Sequence, residues 1–199
     1  MATQNEAGST EVTFEKPDPY TDIELLVEGE SLYCNKTILS YASPVFAKMF
    51  HGEFTEKDQA KIPLPEKKYD DFRSFLLCIH PATLKEVTTE NVEKVLPLAN
   101  KYQVSHLKEK CDVVLEKIIT DYSYKIYGYG AQDKLVHYLE LARNFDLVKT
   151  NQKAVQVIAS MSWKNNIKPS LEKAGIDDKV KLEILSRRME DLESGKLKL

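Results

Sequence analysis

The chain has 199 residues, room for one large domain or two small ones, and its 42% hydrophobic content is ordinary for a globular protein. Seven glycines and 30% charged residues suit a mainly helical protein with a charged surface. A net charge of −3 gives no electrostatic basis for nucleic-acid binding, and no apolar run approaches the roughly 20 residues that span a bilayer.

Residues 1–19 read as a disordered or extended segment, with a short extended piece at Val12 and Phe14 before Pro17 and Pro19. The polar, acidic start does not resemble a signal peptide, so the expected location is cytoplasm, nucleus or both. Ile23, Leu25 and Val27 alternate with Glu24, Leu26 and Glu28, the period of a half-buried strand. Glu28-Gly29 supplies a turn, and Leu32 to Cys34 resumes a strand. Asn35 can then cap a helix carrying Ile38, Leu39 and Ala42. Ser43-Pro44 restarts the chain as a second helix, with Val45, Phe46, Met49 and Phe50 as its apolar face.

His51 to Lys57 is a polar connector interrupted by one aromatic, Phe54. Ala60, Ile62 and Leu64 alternate as a third strand. Tyr69 to Ile79 is an amphipathic helix with Tyr69, Phe72, Phe75, Leu76 and Ile79 on one stripe and Asp70 and Asp71 at its favourable end. His80-Pro81 ends it, because the residue before proline avoids helical geometry. Thr88 to Asn91 starts a further helix bearing Val92, Val95, Leu96, Ala99 and Tyr102. Pro97 lies inside it at a nominal cost of about 3 kcal/mol that packing must offset. Ser105 caps the next, with Leu107, Cys111, Val114, Leu115 and Ile118 inward.

Past Thr120 the pattern changes. Tyr122, Tyr124, Tyr127 and Tyr129 suggest either a stacking surface or packing between helices, and packing is favoured because Lys125 is the one basic residue among them. Leu135, Tyr138, Leu139, Ala142 and Phe145 line one helix; Ala154, Val155, Ile158 and Met161 line another. Asp177 or Asp178 caps a last helix with Leu182, Leu185, Met189 and Leu192 on one stripe and Gly195 past its end. That stripe is expected to pack on the preceding helices, a partner being the alternative.

Nothing in this order carries catalysis. His51, His80, His106 and His137 are scattered, and there is no GxSxG, P-loop or GxGxxG. Asp70-Asp71 and Asp177-Asp178 are explained as helix-start chemistry. Cys34, Cys78 and Cys111 lie singly in apolar contexts, as core hydrophobes in a reducing compartment do. The expectation is a protein with no enzymatic activity, no cofactor and no metal.

The run from Asp22 to Phe50 resembles the BTB/POZ domain. Asp22, Leu25, Val27, Gly29, Leu32, Asn35, Lys36, Ile38, Leu39, Ser40, Ser43, Phe46, Met49 and Phe50 fall on its pattern in one register. The stretch LPLANKYQVSHLKEKC, ending at Cys111, is similar to a later part of the same family. The resemblance implies an α+β, mainly helical fold, a small β-sheet flanking a five-helix cluster over residues 20–120. Residues 121–199 would follow as a helical region similar to the 3-box or BACK segment of speckle-type (MATH-BTB) POZ proteins.

The family resemblance also implies function: a protein-docking module that forms homodimers, or heterodimers with related BTB proteins, through the helix opened by Asn35-Lys36. Carried over by position, Ile38 and Tyr41 fall at that interface, and Asp22 and Lys36 match a charged pair beside it. Many members carry an additional helix before the first strand. Glu11 to Thr21, with two prolines, has no helical stripe, so a smaller or weaker dimer is expected. Members that recruit the ubiquitin-ligase scaffold cullin-3 carry an apolar-x-Glu motif after the Phe-bearing helix, and Phe54-Thr55-Glu56 stands there, with Met49 just before. The implied role is an adaptor holding cullin-3 and an unknown substrate protein. The alternative is an oligomerising scaffold, transcriptional or cytoskeletal, without cullin.

Overall fold

The computed structural model describes residues 12–52, 59–123, 131–161 and 167–197. Phe54, Glu56 and three of the four clustered tyrosines, Tyr124, Tyr127 and Tyr129, lie outside them. The described elements run β1 (Ile23–Val27), β2 (Glu30–Cys34), α1 (Lys36–Ala42), α2 (Pro44–His51), β3 (Lys61–Pro63), α3 (Tyr69–Ile79), α4 (Val92–Lys101) and α5 (Ser105–Ser123). Then follow α6 (Ala131–Asn144), α7 (Val148–Ser160), α8 (Lys168–Lys173) and α9 (Asp178–Glu193). The chain divides into two compact units, Met1–Glu86 with Glu93–Leu107, and Val87–Val92 with Lys108–Leu199.

In the first unit β1 pairs antiparallel with β2, Leu25 opposite Leu32, and parallel with β3, Leu25 opposite Ile62. The sheet order is β2-β1-β3. Ile23, Leu25 and Val27 point into the core and are at most 2% exposed. The connecting turn has Glu28 at φ 52° and Gly29 at φ 87°. Positive φ at both central residues is the type I′ geometry that matches strand twist, and Gly29 adopts it without a Cβ clash.

Helix starts follow local chemistry. Asn35 accepts from the Ile38 N–H at 3.1 Å, and the Ser43 hydroxyl accepts from the Phe46 N–H at 3.1 Å, with Pro44 in the first turn. Helix α3 is different: Lys68 offers no side-chain cap, and the Glu28 carboxylate in the hairpin turn accepts from the Tyr69 N–H at 2.8 Å. An anion there satisfies an orphan donor and faces the positive end of the helix dipole. Tyr69, expected on the core stripe, is only half-buried, while Phe72, Phe75, Leu76 and Ile79 are buried.

The core of this unit is an aromatic cluster around Tyr102, whose ring lies 4.5 Å from that of Phe46, 5.5 Å from Phe75 and 5.6 Å from Phe72. Burial pushes the Tyr102 phenol up to about 12. Pro97 stays inside α4 on its exposed side, where burial of Val95, Leu96, Leu98 and Ala99 offsets the lost hydrogen bond. All three cysteines are buried.

In the second unit α7 packs against α6 and α9, and α6 against α8. Leu135, Tyr138, Leu139 and Ala142 on α6 and Ala154, Val155 and Ile158 on α7 are buried, whereas Phe145 is half-exposed. On α5, Ile119 is fully buried and Val114 only half so. Asp177 caps α9, accepting from the Lys179 N–H at 2.7 Å. The expected packing of the α9 stripe holds only in part, since Leu185 and Leu192 are half-buried but the other two residues are not. Leu182 is 66% and Met189 61% exposed, and the face turned inward carries Val180, Ile184 and Asp191. Arg188 donates to the Ala159 and Met161 carbonyls, at 2.8 and 2.6 Å, and fixes that rotation.

Candidate protein-docking surface

The base of α1 is tied to the segment entering the hairpin. Asn35 Nδ2 donates to the Tyr20 carbonyl at 2.6 Å while its Oδ1 caps the helix. Asp22 Oδ1 accepts from the Lys36 backbone N–H at 2.7 Å. Two side-chain acceptors thus meet the first turn of a helix of only 7 residues, which fixes its orientation on the sheet. Asp22 and Lys36 are therefore adjacent, joined through the main chain. The Lys36 ammonium donates to the Gln59 carbonyl at 3.2 Å and lies 5.9 Å from the centre of the Phe50 ring.

Past this base, α1 presents Ile38, half-buried, and Tyr41, 90% exposed. Ser40 turns the other way, donating to the Lys36 carbonyl at 2.7 Å and lying 3.1 Å from His51 Nε2. On α2, Phe46 and Phe50 are buried and stacked at 5.6 Å, and Met49 is half-buried. Of the residues expected at docking faces, Asp22, Lys36, Ile38 and Tyr41 cluster on and around α1, and Met49 lies on the helix that follows. Tyr20, 76% exposed, joins them through Asn35 and was not anticipated from the pattern.

A charged cleft lies elsewhere on the first unit. Glu28, Glu30, Asp70, Asp71, Lys68 and Lys94 line an open cleft of about 390 Å³ at the start of α3. It lacks the apolar walls typical of small-molecule sites. Glu24 accepts from Lys61 at 2.6 Å and from the Ser31 hydroxyl, and these bonds, the lysine's first, hold its carboxyl below the usual range. Among the described residues no group of acidic, histidine or cysteine side chains is arranged to hold a metal, and no helix is long and apolar enough to cross a membrane.

One buried polar contact was not foreseen. Asp112 of α5 accepts from the Lys149 and Thr150 N–H groups at 3.1 and 2.8 Å and from the Thr150 hydroxyl at 2.6 Å. It thereby caps α7, whose own preceding residue, Leu147, cannot. The apolar run around Asp112 gives no sign of this, because its partners lie 37 and 38 residues away.

A hairpin leading into paired short helices, an aromatic helical cluster and a parallel third strand make a protein-interaction fold. The family model of the BTB/POZ domain matches residues 12–119, and the chain belongs to that family. It is similar to BTB and MATH domain-containing protein 38 of Caenorhabditis elegans, 28% identical over 83% of this chain and 40% of the relative. BTB and MATH domain-containing protein 36 of the same organism is 32% identical over 52% of this chain and 32% of the relative. A solved structure, the BTB domain of human gigaxonin, is 22% identical with a TM-score of 0.39, covering 46% of this chain and 75% of that one. The chain thus spans well under half the length of the curated relatives named here.

Proposed function

We propose that this chain is a non-catalytic adaptor of a cullin-3 RING ubiquitin ligase, dimerising through α1 and holding the scaffold through Met49, Phe54 and Glu56. The observation that carries the dimer is Tyr41, a large aromatic 90% exposed on a helix held rigidly at its base. Rigid exposed aromatics make interface hot spots, because little side-chain entropy is lost when they bind. The cullin contact rests on the family resemblance and on sequence position, since Phe54 and Glu56 follow directly from the half-buried Met49 of α2. An aromatic there can fill a partner pocket while the glutamate adds an oriented charge. In this reading residues 121–199 form a 3-box or BACK-like region that extends the cullin contact and leaves a surface for the substrate, in cytoplasm or nucleus.

The deciding experiment is capture of purified cullin-3 by the wild type and by the Phe54→Ala, Glu56→Ala double variant. Loss of capture in the variant is expected; equal capture removes the assigned site. No capture by either protein favours the oligomerising scaffold, which light scattering then defines by subunit number.

A further inference from the structure

Strand β2 forms one edge of its sheet. The hairpin turn closes on the Val27–Glu30 pair, so Glu30, Leu32 and Cys34 bond towards β1, while Ser31 and Tyr33 turn their main-chain groups to the open side. Residues 13–15 of the same chain lie on that side. The Tyr33 N–H donates to the Phe14 carbonyl at 2.8 Å, and the Phe14 ring is buried edge-on to the His80 ring. Arg73 of α3 holds both neighbours of Phe14. Its Nε donates to the Thr13 carbonyl at 3.2 Å, and its guanidinium pairs with the Glu15 carboxylate at 3.4 Å. A main-chain rung, an aromatic pocket and a cation placed for a carboxylate are together a recognition set for an extended peptide.

The resident segment uses this set imperfectly. Phe14 sits at φ 65°, in the left-handed region where a bulky side chain is strained. That kink turns the segment off the strand direction, and among the described residues it makes one main-chain bond to β2. A peptide free of the tether can lie extended and reach the main chain of Ser31 as well. We propose that this edge is a docking groove for an extended segment of a partner protein, carrying an aromatic residue followed by an acidic one, and that Thr13–Glu15 is its built-in competitor. Exchange of the segment with a second copy is opposed by the link to β1. Asp18 folds that link into a turn: its carboxylate accepts from the Tyr20 N–H at 2.8 Å, its carbonyl accepts from the Thr21 N–H at 3.1 Å, and its own N–H donates to the Thr21 hydroxyl at 3.0 Å. Pro17 and Pro19 stiffen the link on either side. The groove depends neither on cullin binding nor on the α1 dimer.

The probe is a fluorescein-labelled peptide of residues 9–18, its capture by the full chain read by anisotropy. Phe14→Ala empties the pocket, and this chain is expected to bind the peptide at least ten-fold more tightly than the wild type, whose own segment competes. A peptide carrying Phe14→Ala, or an opened chain carrying Arg73→Ala as well, is expected to lose most of that gain. Equal capture by the wild type and by a Phe14→Ala chain with native circular dichroism overturns the proposal. Should Phe14→Ala fail to fold, Glu15→Arg keeps the buried ring and sets like charge against Arg73. It too is expected to bind the peptide more tightly, and no gain overturns the groove. A one-to-one complex between a Phe14→Ala chain and an Arg73→Ala chain, both carrying Tyr41→Asp, makes a second copy the occupant and overturns the assignment to a partner.

Discussion

The Ser43 hydroxyl donates to the backbone carbonyl of Tyr102 at 2.6 Å, across 59 residues of sequence and wholly out of solvent. The same oxygen caps α2, so one small side chain joins the start of that helix to the end of α4 beneath the aromatic cluster.

Ser43→Ala removes a cap and strands a buried carbonyl together. A loss of about 3 kcal/mol is expected, the sum of a typical cap and a buried unmet acceptor. Urea denaturation followed by tryptophan-independent circular dichroism measures it. A loss below about 1 kcal/mol would mean that water replaces the hydroxyl.

Asp112→Ala leaves two N–H groups of α7 without their acceptor and the Thr150 hydroxyl with the backbone carbonyl of residue 112 alone. We expect a loss of about 3 kcal/mol and faster amide exchange at the start of α7 than at its end. Asp112→Asn keeps an acceptor oxygen and should lose less.

His80 supplies a pH dependence. Burial holds its imidazole below the ordinary value, with Asp18 opposing. Its Nδ1 accepts from the Ala82 N–H at 3.2 Å, and its ring meets that of Phe14 edge-on at 5.4 Å. The native state therefore prefers neutral His80. Below an unfolded value of about 6.5 the unfolded chain binds the extra proton first. This contribution is full above that pH and is lost as pH falls through the depressed folded value. Thermal melts of His80→Gln should show a shallower fall between pH 7 and 5 than the wild type.

Tyr41→Asp tests the α1 face. With the side chain 90% exposed, stability should change by no more than about 0.5 kcal/mol. Light scattering should nevertheless report a shift from dimer towards monomer.

The thiols should be inert in the native protein. Cys34, Cys78 and Cys111 are buried, and burial, reinforced by Asp22 and Asp18, pushes the Cys34 thiol far up. Ellman's reagent is expected to react with none of them in buffer and with all three in strong denaturant.

What could be read along the chain was local. Asn35, Ser43-Pro44 and Asp177 signal helix starts because each cap bonds an N–H two or three residues on, and the Ile23–Leu25–Val27 alternation fixes the buried side of β1. What escaped was long-range or degenerate. Glu28 on Tyr69, Ser43 on Tyr102 and Asp112 on Thr150 join residues 41, 59 and 38 apart, beyond any local pattern. On α9 the period is right and the face only half right. Two apolar arcs coexist there, and the Arg188 clamp, invisible to periodicity, selects the one with fewer large side chains. The α1 cluster of Asp22, Lys36, Ile38 and Tyr41 was legible through the family pattern, whereas Tyr20 joins it only through an Asn35 bond 15 residues long.

Hairpin tips usually tolerate insertions, tags and grafted epitopes. The Glu28 carboxylate makes this tip an exception, because a lengthened turn withdraws the acceptor from Tyr69 and frays the opening of a helix 41 positions downstream. Protein engineers seeking a permissive graft point on this scaffold are better served elsewhere.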